Sequence, residues 1–327
     1  MRKSYIIGII LFVFAIAAKP IDEFPQTEIS NGIIKARLYL PNDTNGYYRG
    51  SRFDWSGVMP ELEYKGHSYF GQWFEKYSPT LHDAIMGPVE AFSPVGYDEA
   101  KVGESFLNIG IGMLAKPQET KYFFVNPYQI VNPGKWTIRK KSREVEFIHI
   151  LNDKNYSYEY NKTVELLKGK PEMLLSHSLK NTGSKAIETN VYDHNFFVMD
   201  KQPVDQNYTV AFPFNLKGEV QGNGDLGKLE DNKIIFLKEL AENEHLFYQS
   251  VEGFGSTSKD YDIKIENHKT GAAVRITSDQ PLSKIVFWSA SKTVCPEPYI
   301  HIKVNPGETL KWNMHYQFYI CDTINKN

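Results

Sequence analysis

The chain has 327 residues, and its 37 basic and 39 acidic side chains leave a formal charge of −2 spread without blocks. Such a balance offers no electrostatic footprint for nucleic acid or an anionic membrane, so a neutral partner is expected. Two cysteines, Cys295 and Cys321, are too few for a disulfide framework, and stability must come from a core. A bridge between them and a plain buried role for Cys295 both remain open.

The elements begin with Arg2 and Lys3, followed by an uncharged apolar run from Tyr5 to Ala18 that ends in small residues, Ala15 and Ala17 in A-x-A spacing. The run is shorter than the ~20 residues a membrane-spanning helix needs, so residues 1–18 are expected to be a cleaved export signal. The mature protein would then be periplasmic or secreted, with no membrane contact after cleavage. Residues 19–327 contain no Pro/Ser/Gly-rich linker, low-complexity tract or fixed-period repeat, and are expected to form one domain.

Period-2 alternation then recurs along the chain, from Gly32–Leu40 through Val145–Leu151, Tyr156–Leu166, Met173–Leu179, Ile187–Tyr192, Lys233–Leu237, Tyr261–Glu266, Ala272–Thr277 and Leu282–Ser289. The last strand candidate is the clearest, with Leu310, Trp312, Met314, Tyr316 and Phe318 alternating with polar residues. Asn181-Thr182-Gly183, Lys269-Thr270-Gly271 and Asn305-Pro306-Gly307 punctuate neighbouring strands with turn chemistry. The best helical segment, Phe236–Glu244, would add at most two turns. This pattern predicts an all-β fold, a large antiparallel β-sandwich or barrel. Aromatics make up 14% of the chain, which suits strands and also surfaces on which sugar rings stack. The stretch from Pro41 to Lys101 is irregular and dense in aromatic and polar groups, as functional loops on a rigid sheet often are.

Motifs for several familiar chemistries are missing: there is no G-x-S-x-G elbow, Walker loop, H-E-x-x-H or paired C-x-x-C, and Gly222–Gly227 reads as a turn. The histidines form no i, i+4 helical pair, so no metal site is expected. Three segments stand out: Tyr48–Gly57 with Arg52, then Tyr192-Asp193-His194-Asn195-Phe196-Phe197, and finally Val286–Ser289 with Trp288 leading into Val294-Cys295-Pro296-Glu297-Pro298-Tyr299.

In this order the segments resemble the galactose mutarotase-like (aldose 1-epimerase) superfamily, whose members carry an arginine turn, a mid-chain histidine followed by aromatics, and a late glutamate. Arg52 looks like the arginine, His194 like the histidine and Glu297 like the glutamate. The family's Leu-His-Gly-Gly run is replaced here by Leu81-His82-Asp83-Ala84, so His82 fills that role or Glu90 points into the same pocket instead. The chain thus resembles a divergent branch. The resemblance implies a supersandwich fold, a small-molecule carbohydrate as partner and no cofactor.

Opening a sugar ring at its anomeric centre needs the O1 proton removed and the ring oxygen protonated. Glu297, held between prolines, suits the base, and His194, with an ordinary pKa near 6.5, suits the acid. Arg52, His82, Glu90 and Asp193 are the expected substrate contacts, and Trp288, Trp55 or Trp73 offers a stacking face. Plainer roles exist for each: His194 as a satisfied core histidine, Arg52 in an ion pair with Asp54, His82 and Glu90 as solvated loop residues. The rival readings are a non-catalytic sugar-binding accessory protein on the same fold and a hydrolase using two carboxylates.

Overall fold

The computed structural model describes residues 24–222 and 224–324; the export signal expected over residues 1–18 lies outside them. The described chain is nearly all strand. Its only helical pieces are single 3-10 turns, Met199–Lys201 and Ser258–Asp260. No described helix is long and apolar enough to cross a membrane.

The helical expectation for Phe236–Glu244 fails for a tertiary reason. Phe236 ends a strand, Leu240 N donates to Val204 O at 2.9 Å, and the Glu244 carboxylate takes the Ala241 N–H and the Lys238 ammonium. Those bonds hold the segment as an irregular connection in place of an intrahelical ladder, tertiary contacts overriding local propensity.

Every strand pairing is antiparallel. A ten-stranded sheet has at its centre Ala272–Ser278, Thr309–Ile320, Glu172–Asn181 and Tyr158–Leu166, in that order. A five-stranded sheet orders Leu246–Tyr248, Lys284–Ala290, Thr293–Val304, Ile187–Phe196 and Gly87–Phe92. Two smaller sheets, of four and three strands, come from residues 26–68 and 105–132. The three predicted turns each join two consecutive strands.

The alternation read in the last strand is the alternation of burial: Trp312, Met314, Tyr316 and Phe318 are fully enclosed. They meet Val191, Ile285, Phe287, Ile300 and Ile302 of the five-stranded sheet in one continuous core, so each sheet buries the face that period 2 makes apolar. The other face of the five-stranded sheet is covered by the irregular loops. Tyr47, Phe53, Trp55, Ile85 and Met86 pack there on Val89, Ala91, Phe196 and Cys295 in a second apolar cluster. Gly87 permits that close approach. Its φ is +91°, and a Cβ there would stand 2.7 Å from Met59 Cβ and 2.9 Å from Met59 N.

Both cysteines are free, Cys295 inside the second cluster and Cys321 just past the last strand, so no bridge joins them.

Candidate active site

On Ile187–Phe196, Tyr192, His194 and Phe196 share one face, and on Lys284–Ala290 so do Lys284, Val286 and Trp288. Together with Glu297 and Tyr299 of the strand between them, these side chains form one wall of a cavity of about 680 Å³. Loops complete it with Arg52, Trp73, His82, Asp83, Phe124, His245 and Gln249.

The prolines around Glu297 act differently from a rigid turn. Thr293–Val304 is a central strand, and Ser283 N donates to Tyr299 O, so odd positions of this strand bond toward Lys284–Ala290. Pro296 and Pro298 therefore present their missing N–H to Ile187–Phe196. The ladder there stops at Tyr192–Tyr299 and resumes only as a bridge at Phe197–Val294. Asn195 Nδ2 donates to Pro296 O at 3.0 Å and satisfies the carbonyl left over. The same register sets His194 directly opposite Glu297 as a non-hydrogen-bonded pair, the kind whose side chains lie closest.

His194 Nε2 is accordingly 3.3 Å from Glu297 Oε1, with both side chains more than nine-tenths buried. The imidazole stacks on Phe196 at 3.9 Å and 8°, with Phe53 edge-on at 5.6 Å. Arg52 is held between the rings of Phe53 and Phe124, its Cζ 4.4 and 4.1 Å from their centroids. It donates from Nη2 to Tyr192 Oη at 3.3 Å. Tyr192 stacks in turn on Tyr299 at 4.3 Å. Two buried nitrogens of this group, Arg52 Nε and His194 Nδ1, have no hydrogen-bond partner among the described residues. Buried donors and acceptors are normally satisfied, and these two belong to residues that line the cavity.

Burial raises the Glu297 carboxyl to about 7, against the pull of Arg52, Lys284 and a hydrogen bond from Tyr299. Burial, then the Arg52 charge, pushes His194 well below its ordinary value. Burial also opposes the charge of Arg52, yet Tyr192 and Glu297 raise its pKa and keep it a cation. Near neutrality the imidazole is thus neutral, and Glu297 is the group of the pair that holds the exchangeable proton.

Of the residues singled out in the sequence, Glu297, His194, Arg52, His82 and Trp288 come together on this cavity, and Trp73 joins them. His82 is tied to Asp83 at 3.3 Å. Glu90 and Asp193 do not reach the cavity, and their strands explain why. Asp193 has the opposite parity to His194, points into the sandwich and meets Tyr316 Oη at 2.9 Å. Glu90 lies between Val89 and Ala91, which face the loop side, so its carboxylate is directed inward to Lys162 and to His177 Nε2, the latter at 2.7 Å. Trp55 is interior too, donating to Gly50 O. The spacing rules missed Lys284, Tyr192 and Tyr299, although Lys284 shares the parity of Trp288, and Tyr192 that of His194. Phe124, His245 and Gln249 come from connections with no periodic signal. Among the described residues no three His, Cys, Asp or Glu side chains gather as a metal site would require.

This architecture is that of the galactose mutarotase-like and aldose 1-epimerase structures. A GalM/aldose epimerase homologue from C. elegans matches with a TM-score of 0.57 at 12% identity, over 91% of this chain and 99% of its own. The Slr1438 protein from Synechocystis sp. PCC 6803 matches with a TM-score of 0.57 at 12% identity, over 94% and 100%. A galactose mutarotase-like protein from Lactobacillus casei gives a TM-score of 0.54 at 12% identity, over 90% and 100%. No family model matches the sequence, and no curated protein does. At such identities the likeness carries the fold, and the chemistry has to be argued from the site.

Proposed function

We propose that the protein is an aldose 1-epimerase-like isomerase that interconverts the anomers of a free sugar. The observation that carries this reading is the His194–Glu297 pair, set face to face by register at 3.3 Å on a cavity wall with a partner-poor arginine beside it. Ring opening takes one proton off O1 and puts one on O5, the two oxygens of C1, and one acid beside one base is the minimum equipment.

In the proposed cycle, the Glu297 carboxyl gives its proton to the ring oxygen while His194 takes the proton of the O1 hydroxyl. The C1–O5 bond breaks as C1=O forms, the aldehyde turns about C1–C2, and the reverse transfers close the ring on its other face. The sequence alone suggested Glu297 as base and His194 as acid. Burial supports the opposite resting roles, and because ring closure reverses both transfers each residue is acid in one half of the cycle and base in the other. Arg52 would hold sugar hydroxyls through its free N–H groups, and Trp288 and Trp73 would offer faces to the ring's C–H side. The other carboxylate lining the cavity, Asp83, pairs with His82, which leaves Glu297 without a free acidic partner for glycoside hydrolysis.

The test is NMR exchange spectroscopy of a panel of free aldoses with the protein. Acceleration of anomer exchange is expected for at least one of them. Binding of a sugar without acceleration would replace this reading with that of an accessory sugar-binding protein.

A further inference from the structure

Behind the His194–Glu297 pair, on the sandwich face of the same two strands, runs a chain of buried polar groups that the proposed cycle does not use. The register that sets His194 opposite Glu297 sets Asn195 opposite Pro296. Asn195 Nδ2 donates to Pro296 O at 3.0 Å and to Asp193 O at 3.1 Å. Turning the amide over would aim its oxygen at two carbonyl oxygens, so Oδ1 is the atom that faces Tyr316 Oη, at 2.8 Å. Asp193 Oδ2 faces the same hydroxyl at 2.9 Å. Asp193, Asn195 and Tyr316 are all fully enclosed.

The protons on this chain can be counted. A tyrosine hydroxyl has one to give, and two oxygens stand ready to accept it. Asn195 Oδ1 carries no proton and must receive the one from Tyr316. Asp193 Oδ2 then bonds to Tyr316 Oη only with a proton of its own. An ionised Asp193 would leave one of the two contacts as a pair of oxygens with no proton between them, a costly arrangement in a low-dielectric interior. Its other oxygen, Oδ1, has no partner among the described residues, which a neutral acid tolerates far better than a carboxylate does.

The surrounding charges agree. Facing Asp193 are Glu90, directly opposite on the neighbouring strand, Lys162 from the ten-stranded sheet, and the hydroxyls of Tyr160, Tyr261 and Tyr316. Lys162 is already in contact with Glu90, which His177 also holds. Burial, then the Glu90 charge, pushes the Asp193 carboxyl up to about 8.

We infer that Asp193 is held as a neutral carboxylic acid whose proton orders a hydrogen-bond chain through Tyr316 and Asn195 to Pro296 O, and that this chain positions His194 and Glu297. The prolines open the ladder beside the pair, and the Asn195 amide spans the opening. When Asp193 ionises, the Tyr316 proton turns to its carboxylate, Asn195 Oδ1 loses its donor and the hold on Pro296 loosens. Asp193 is thus a positioning residue, acting on the cavity only through others. The positioning role rests on the anomer-exchange reading above; the protonation of Asp193 does not.

Three variants separate an acid from a carboxylate. Asp193→Asn keeps a donor toward Tyr316 and cannot ionise, Asp193→Leu removes the polar group, and Tyr316→Phe removes the middle of the chain. At pH 6.5 the infrared spectrum of the unmodified protein should contain the carbonyl band of a protonated carboxylic acid that Asp193→Asn lacks. Raising the pH to 9 should lower its denaturant midpoint more than that of Asp193→Asn, because the folded carboxyl, at about 8 against 3.8, binds its proton more tightly than the unfolded one. Identical spectra and identical pH dependence would overturn the neutral acid. In anomer exchange at pH 6.5, Asp193→Asn should keep kcat within about twofold, while Tyr316→Phe and Asp193→Leu lose about tenfold in kcat with KM little changed. Loss in Asp193→Asn as large as in Asp193→Leu would show that the charge is needed and overturn the inference. A Tyr316→Phe variant with the β-sheet spectrum and full kcat would overturn the positioning role and keep the neutral acid. If the unmodified protein exchanges no sugar, the isomerase reading falls and takes the positioning role with it, and the infrared band still decides the state of Asp193.

Discussion

The same strands carry two buried titratable clusters back to back. On the loop face, His194, Glu297 and Arg52 line a cavity; on the sandwich face, Glu90, Asp54 and Asp193 meet Lys162, His177 and Tyr316. The residue types are nearly alike, but the interior ones do not line the cavity and are largely paired with one another. Glu90 is held by both Lys162 and His177, and Asp54 accepts the Ser56 N–H at 2.9 Å and its hydroxyl at 2.6 Å. Burial works to raise the Glu90 carboxyl, and Lys162 with His177 overcomes it and holds it down at about 2. Glu297 has weaker compensation and rises to about 7, and burial raises the interior Asp54 and Asp193 likewise, to about 7 and about 8, so a raised carboxyl does not separate the two clusters. Burial of acids and bases thus does not by itself mark a functional site. A cavity in front of them does, whereas unpartnered buried atoms occur in both clusters, His177 Nδ1 and Asp193 Oδ1 inside as well as His194 Nδ1 and Arg52 Nε at the cavity.

The comparison breaks most visibly through the interior. Lys162→Met leaves Glu90 buried without its cation, which should cost about 3–5 kcal/mol of stability, measured as a fall in the denaturant midpoint. Next in size, Glu297→Gln should lower anomer exchange about 100-fold. Its effect on stability has the other sign. The folded carboxyl, with a pKa of about 7 against 4.5, binds its proton more tightly than the unfolded one, so folding loses stability as pH rises from 4.5 to 7. The glutamine removes that loss, and at pH 8 the variant should be more stable than the parent by up to about 3 kcal/mol.

A smaller effect sharpens the assignment of the proton. If Glu297 supplies it, kcat/KM is level below pH 7 and falls as pH rises through about 7, where the free enzyme loses that proton. A rate that instead rises through 7 would restore Glu297 as the resting base. The smallest expected change is that of Trp288→Ala. Loss of one stacking face should raise KM about 3- to 10-fold with little change in kcat.

How much of this was legible in the sequence depends on period 2. Where one face of a strand is apolar and the other polar, as from Leu310 to Phe318, the strand and its buried face can be read directly. The prolines flagged Glu297, although their role is to open a central ladder. Glu90 was misplaced because all six residues of Gly87–Phe92 are buried, so no alternation gives its parity away. Asp193 was misplaced by adjacency: neighbours along a strand point to opposite faces, and polar company for His194 had to be sought at even positions or on the next strand. The loop contributions of Phe124 and His245 depend on tertiary packing that leaves no local pattern.

The central claim is that His194 and Glu297 act as one proton-transfer unit on a sugar, and the most direct measurement is anomer exchange by NMR at pH 6.5 for the unmodified protein, His194→Asn and Glu297→Gln, with circular dichroism as the check on folding. The expected result is a clear acceleration by the unmodified protein, reduced about 100-fold in each variant with the β-sheet spectrum retained. Exchange in either folded variant that matches the unmodified protein would contradict it.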